Sequence, residues 1–175
     1  MKIYSGNFEV EYKDDKSPLT QADKNANELI NEHLVATGIP VISEESKELP
    51  YAVRKHWQTC WIVDPLDGTK EFVKRNGEFT VNIALVEQGK PKLGVIYVPV
   101  EKILYYGLVD EGKSFKAVVD SKIPNLEEII NIASEIRPSN TAKGKIRVVG
   151  SRSHMNEETL EFVEGLKKQF NNIEI

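Results

Sequence analysis

Between Phe79 and Leu108 the chain carries three runs rich in β-branched and aromatic residues, Phe79–Val86, Leu93–Val98 and Ile103–Leu108. The connections between them, Gln88-Gly89-Lys90 and a break at Pro99, are too short for a crossover. Runs of that length joined by hairpin-length turns read as a meander, so an antiparallel sheet is predicted. Upstream, Phe8, Val10 and Tyr12 alternate with Glu9, Glu11 and Lys13, the period of a half-buried strand, which breaks at Asp14-Asp15-Lys16-Ser17-Pro18. From Thr20 to Ala36 the period changes to that of a helix, with Ala22, Ala26, Leu29, Ile30 and Leu34 on one face, Thr20 as N-cap and Gly38 just past the end.

The remaining segments add an α component. Ile39–Ile42 is a short apolar run leading into Ser43-Glu44-Glu45-Ser46, and the polar stretch to His56 reads as a loop with a helical turn. Cys60–Val63 reads as a buried strand that stops at the turn-rich Asp64-Pro65-Leu66-Asp67-Gly68-Thr69. Leu126, Ile129, Ile130, Ala133 and Ile136 predict a further helix, and Pro138–Gly144 is the most linker-like stretch. The expected organisation is therefore α+β, or mixed α/β, with a first domain over 1–143 and a boundary near Lys143. A second α/β domain is only begun over 144–175, with a strand at Ile146–Val149 and a helix whose Leu160, Val163, Leu166 and Phe170 share a face. One strand and one helix leave apolar faces open, from which a homodimer or other self-association is expected.

Composition excludes several classes. The single cysteine, Cys60, allows neither an internal disulfide nor a cysteine-based zinc cage. A formal net charge of −4 argues against nucleic-acid binding by bulk electrostatics. No run of about 18 apolar residues exists to insert in a membrane, and the N-terminus lacks the pattern of a secretory signal. A cytoplasmic location is expected, with attachment at the inner face of the membrane as the lesser alternative.

The densest chemistry is acidic. Glu44 and Glu45 stand where one apolar run ends, and Asp64 and Asp67 where another ends. Two carboxylates about 4 Å apart repel by about 4 kcal/mol at an effective dielectric near 20, a cost that a divalent cation relieves. An all-oxygen donor set favours Mg²⁺ over zinc, and Mg²⁺ commonly shares its shell with substrate phosphate. The same D-P-x-D-G residues also make a good turn, because proline sets φ, aspartate caps and glycine permits φ above zero; composition alone favours that reading. Asp23, three residues after Thr20, fits a capping box as well as a catalytic role. Arg152 and His154 are ordinary surface residues unless a ligand engages them, and Trp57 and Trp61 are assigned to packing.

Glu44-Glu45-Ser46 followed by Trp61-Ile62-Val63-Asp64-Pro65-Leu66-Asp67-Gly68-Thr69 closely resembles the first signature of the inositol monophosphatase superfamily, Mg²⁺-dependent, lithium-sensitive phosphatases. Thr20-Gln21-Ala22-Asp23 fits the same pattern. Within the superfamily, Lys70-Glu71-Phe72-Val73-Lys74-Arg75-Asn76-Gly77-Glu78-Phe79-Thr80-Val81-Asn82-Ile83-Ala84 and Gly150-Ser151-Arg152-Ser153-His154 resemble the CysQ-type 3′(2′),5′-bisphosphate nucleotidases. The inositol enzymes usually carry Thr-Asn-Phe in place of Lys70-Glu71-Phe72.

This resemblance implies a sugar-phosphatase fold, in which an antiparallel sheet is flanked by helices. It implies that Glu44, Asp64, the carbonyl of Leu66 and Asp67 hold two Mg²⁺ ions, with Asp64 bridging and Glu45 supporting. Asp23 and Thr69 would activate the attacking water, and the amides of Gly68 and Thr69 would meet the phosphate. Ser151, Arg152 and His154 would contact the nucleotide. The implied substrate is adenosine 3′,5′-bisphosphate, hydrolysed to AMP and phosphate in the two-metal manner. Family members precede the opening strand with a helix, absent here. They also continue past the position of Ile175 through a Ser-Ser-Leu-Lys-type segment and a Trp-Asp motif that completes the second metal site. A truncated chain of impaired catalysis is therefore expected. The rivals are an inositol monophosphatase or other sugar-phosphate phosphatase, and a non-catalytic metal-binding fragment.

Overall fold

The computed structural model describes residues 1–13, 18–47, 49–120, 125–138, 146–150, 155–170 and 173–174. Two compact units divide between Ile136 and Arg137; the boundary expected near Lys143 lies outside the described residues. The first unit runs α1 (Lys2–Ser5), β1 (Val10–Tyr12), β2 (Pro18–Thr20), α2 (Gln21–Val35), β3 (Val41–Ser43), α3 (Tyr51–Arg54) and β4 (Thr59–Asp67). It continues with α4 (Thr69–Lys74), β5 (Thr80–Glu87), β6 (Lys90–Val98), β7 (Ile103–Leu108), β8 (Lys113–Val118), α5 (Leu126–Ile132) and β9 (Ser134–Ile136).

Strands β3 to β9 form one sheet in sequence order, antiparallel throughout except for the parallel β3–β4 pair. The predicted meander is its centre. Strand β8 escaped the sequence reading, although Phe115 and Ala117 alternate with polar neighbours as an edge-proximal strand requires. The expected helix through Ile136 stops at Ile132. Ala133 turns to extended backbone (φ −70°, ψ 137°), and Ser134–Ile136 pairs with β8, so sheet pairing overrides the helical spacing of the last two apolar positions.

Strand β4 does not end at Asp64. It runs on through Pro65 to Asp67, with a register shift against β5 between Asp64 and Asp67. A proline lacks the N–H that a regular ladder needs, and a bulge is where a sheet tolerates that loss. The expected loop is thus an irregular strand end, with Pro65 and Leu66 buried. Past it, Gly68 adopts φ +93° and caps α4. A Cβ there would sit 2.8 Å from the Glu78 carbonyl oxygen, so only glycine lets the two segments approach this closely.

A helical turn, α1, does precede the opening strand, because its Ile3 and Tyr4 have a core to join. Leu66, Phe72 and Phe79 are buried together, and Ile3, Tyr4, Phe8 and Ala22 pack on them. Tyr4 lies 5.0 Å from both Phe72 and Phe79, and Phe72 meets Phe79 edge-on at 5.0 Å. Each such ring contributes about 2–3 kcal/mol by burial, and the cluster sits directly beneath the end of β4 that carries the aspartates.

In the second unit β10 (Ile146–Arg147) pairs in parallel with β11 (Ile173–Glu174), and α6 (Glu157–Gln169) lies between them in sequence. The expected strand through Val149 is shorter, and Val149 is fully exposed. Helix α6 buries Val163 but leaves Leu160 and Phe162 largely exposed. Among the described residues, no helix is long and apolar enough to cross a membrane.

Candidate active site

The parallel register of β3 and β4 pairs Ser43 with Val63, and the Glu44 amide donates to the Val63 carbonyl at 3.1 Å. Glu44 and Asp64 are therefore the next residues on adjacent strands, side by side at the sheet's end. Asp67 follows across the bulge. Burial, the charges of Glu44 and Asp67, and a hydrogen bond with Glu44 push the Asp64 carboxyl up to about 6, against a lesser opposing pull from the Leu66 amide, which donates to Asp64 Oδ1 at 3.2 Å.

Each neighbouring carboxylate has a partner of its own. Asp67 Oδ2 accepts from Asn82 Nδ2 at 3.1 Å, and Asn82 is the residue β5 places opposite Asp64. Lys13, one residue past β1, donates from Nζ to Glu44 Oε1 at 2.9 Å and to Glu45 Oε1 at 2.6 Å. Burial works against the Lys13 ammonium, but the Glu45 and Glu44 carboxylates outweigh it and hold its pKa above the ordinary lysine value. With side chains so engaged, no three His, Cys, Asp or Glu among the described residues converge as a ready metal cage. Oxygen donors of Glu44, Asp64, the Leu66 carbonyl and Asp67 nevertheless lie along one strand end, and the chemistry of that set fits Mg²⁺. The oxygens held by Lys13 and Asn82 are Glu44 Oε1 and Asp67 Oδ2.

Asp23 is fully buried at the start of α2 and does two things at once. It completes a capping box with Thr20, accepting from the Thr20 amide at 2.7 Å, and it accepts from Thr69 Oγ1 at 3.0 Å. Thr69 also lies 3.2 Å from the Leu66 carbonyl, so α2, the bulge and α4 are tied at one point. The capping and catalytic readings of Asp23 thus coexist in one geometry. Glu45 is nine-tenths buried and anchors Lys13. Ser151, Arg152 and His154 lie outside the described residues.

Three participants were missed from sequence. Lys13 looked like the polar end of a strand. Asn27 accepts from Ser43 Oγ at 2.7 Å and donates to Ser46 Oγ at 3.3 Å, bracketing Glu44 and Glu45. Its signal was present, since Asp23, Asn27 and Asn31 recur every four residues as a polar stripe on α2. Asn82 interrupts an otherwise apolar strand, a signal of the same kind. Beside Glu44 and Asp64 a cavity of about 690 Å³ opens over Ile62, Ala84 and Ile96, with Arg54 and Trp57 also on its wall.

Comparison with known proteins gives a consistent set of relatives. The model of the inositol monophosphatase family matches residues 1–173. The 3′(2′),5′-bisphosphate nucleotidase CysQ of Salmonella typhimurium is 46% identical over 170 residues, 95% of this chain and 63% of that protein. Its Escherichia coli K12 counterpart is 42% identical over the same shares of each. The crystal structure of CysQ from Bacteroides thetaiotaomicron superposes with a TM-score of 0.83 at 44% identity, over 99% of this chain and 64% of that one. The Thermotoga maritima IMPase superposes with a TM-score of 0.67 at 25% identity, over 99% and 61%. The chain spans less than two thirds of the length of these relatives.

Proposed function

The chain belongs to the inositol monophosphatase family and has its mixed α/β fold, and we propose that it serves the hydrolysis of a nucleotide bisphosphate. The substrate is adenosine 3′,5′-bisphosphate, which loses its 3′-phosphate to leave AMP and phosphate. The observation that carries this reading is the juxtaposition of Glu44 and Asp64 by strand register, with Asp67 one bulge away. Burial first, and then the charges of Glu44 and Asp67, push Asp64 up to about 6. A divalent cation would relieve the cost of holding these charges together.

In the site so read, Glu44, Asp64, the Leu66 carbonyl and Asp67 hold Mg²⁺. When bound, the ion polarises a phosphoryl oxygen and lowers the pKa of an attacking water. Thr69 supplies the proton path. Its hydroxyl donates to buried Asp23, so its lone pairs face away from that carboxylate and accept a hydrogen bond from the water. Asp23, fixed by the Thr20 amide, receives the proton that Thr69 relays. Gly68 and Thr69 offer their amides to the phosphate, and the recognition of the nucleotide by Ser151, Arg152 and His154 rests on the family resemblance alone. The neighbouring cavity of about 690 Å³ lies within the range of small-molecule sites, roughly 300–1,000 Å³. The names of the relatives at 42–46% identity support a nucleotide over an inositol phosphate.

The test is phosphate release by the 175-residue chain from adenosine 3′,5′-bisphosphate and from inositol 1-phosphate, in Mg²⁺ and in EDTA. Release from the nucleotide that disappears in EDTA and in Asp64→Asn is expected. Preference for inositol 1-phosphate, or turnover that survives Asp64→Asn, overturns the reading. Mg²⁺ binding with no turnover reduces it to metal binding alone.

A further inference from the structure

Lys13 places its ammonium on the carboxylate cluster, and it comes from outside the strands that build it. Its ammonium bridges two carboxylates that differ sharply in environment. The Glu45 side chain is 9% exposed and the Glu44 side chain 53% exposed. The bond to Glu45 is the shorter, at 2.6 Å against 2.9 Å. Shielded from water, the Glu45 arm is the strong one; the Glu44 arm is wet and screened, and an exposed pair of that kind is held only weakly. Lys13 is thus anchored on Glu45 and lends the rest of its charge to Glu44, beside which Asp64 carries a second carboxylate.

We propose that Lys13 is a tethered counter-ion of the metal site, neutralising Glu44 in the metal-free chain and surrendering it when a divalent cation binds. The inference rests on the metal reading above. On binding, Glu44 exchanges the ammonium for the ion, while Glu45 keeps Lys13 close by. Both effects of Lys13 on a metal have the same sign: it competes for a ligand, and its remaining charge repels the ion. It therefore sets the metal concentration at which the site fills, and its removal tightens binding at the expense of the metal-free fold.

Mn²⁺ titration followed by electron paramagnetic resonance, without substrate, tests this on the wild-type chain, Lys13→Met, Lys13→Gln, Lys13→Arg and Asp64→Asn. The expected result is a Kd about threefold to fivefold lower in Lys13→Met and Lys13→Gln, with Lys13→Arg within about twofold of wild type. Thermal melts should show a lower Tm for Lys13→Met in EDTA and a larger rise on adding Mn²⁺. In the wild type alone, the ¹⁵N resonance of the Lys13 ammonium should shift on Mg²⁺ addition with the midpoint of binding. Unchanged or weaker Mn²⁺ affinity in both neutral variants, or a Lys13 resonance indifferent to Mg²⁺, overturns the counter-ion role while Asp64-dependent binding keeps the metal reading. Absence of Mn²⁺ binding by the wild type overturns both.

Discussion

Replacing Asp64 by Asn removes the charge that the cluster tolerates least while keeping the shape of the side chain and an acceptor for the Leu66 amide. In the metal-free chain burial, Glu44 and Asp67 raise the Asp64 carboxyl from 3.8 to about 6. A carboxyl whose folded pKa lies above its unfolded one subtracts stability above the folded value, and the subtraction fades as pH falls toward the unfolded value. At about 1.4 kcal/mol for each tenfold change in acidity the displacement corresponds to about 3 kcal/mol at pH 8, and solvent screening of the partly exposed carboxyl cuts this to about 1.5 kcal/mol. Asp64→Asn should therefore stabilise the EDTA-treated chain by about that amount, or about 3–6 °C in Tm, with the gain shrinking toward zero between pH 7 and pH 4. At a thousandfold excess of Mg²⁺ over Kd the order should reverse, since only the wild type gains binding energy, worth about 4.1 kcal/mol. Paired melts of both proteins from pH 4 to pH 8, in EDTA and in Mg²⁺, read all of this. A variant less stable than wild type in EDTA at pH 8, or an advantage that does not change with pH, would refute the reasoning.

Gly68→Ala should cost about 2–4 kcal/mol in urea unfolding, because the new Cβ would press on the Glu78 carbonyl at 2.8 Å from a backbone held at φ +93°. Gly38→Ala, at φ +71° with nothing within 4 Å, should cost about 1 kcal/mol in the same assay. Thr69→Val should lose about 1–3 kcal/mol by depriving fully buried Asp23 of a donor, and Thr69→Ser should recover most of it. Phe72→Ala, at the centre of the aromatic cluster, should cost about 3–5 kcal/mol and lower the Tm of the first unit.

Period and turn chemistry made the meander, α2 and the approach of two acidic strand ends legible, because those features depend on residues close in sequence. The end of β4 was not, since a proline reads locally as a stop and only pairing with β5 across a bulge carries the strand past it. Ile136 failed for a related reason: helical spacing cannot reveal that an edge of β8 stands open to accept Ser134–Ile136. At the site, Glu44, Asp64 and Asp67 announced themselves by charge, and Asp23 by its place in a capping box. Lys13 lies 31 positions from Glu44 in sequence, and no local pattern joins them. Asn27 was readable in principle as part of a polar stripe, but its function as the brace between Ser43 and Ser46 needed the helix laid against β3.

The central claim is that Glu44, Asp64, the Leu66 carbonyl and Asp67 form a divalent-metal site. Crystals grown in EDTA and soaked in Mn²⁺ test it most directly, by anomalous scattering. The account predicts a peak bounded by the Glu44 and Asp64 carboxylates and the Leu66 carbonyl, with Glu44 released from Lys13, and no such peak in Asp64→Asn. Saturating Mn²⁺ with no density at that strand end, or with Lys13 still on Glu44 and the ion bound elsewhere, would contradict it.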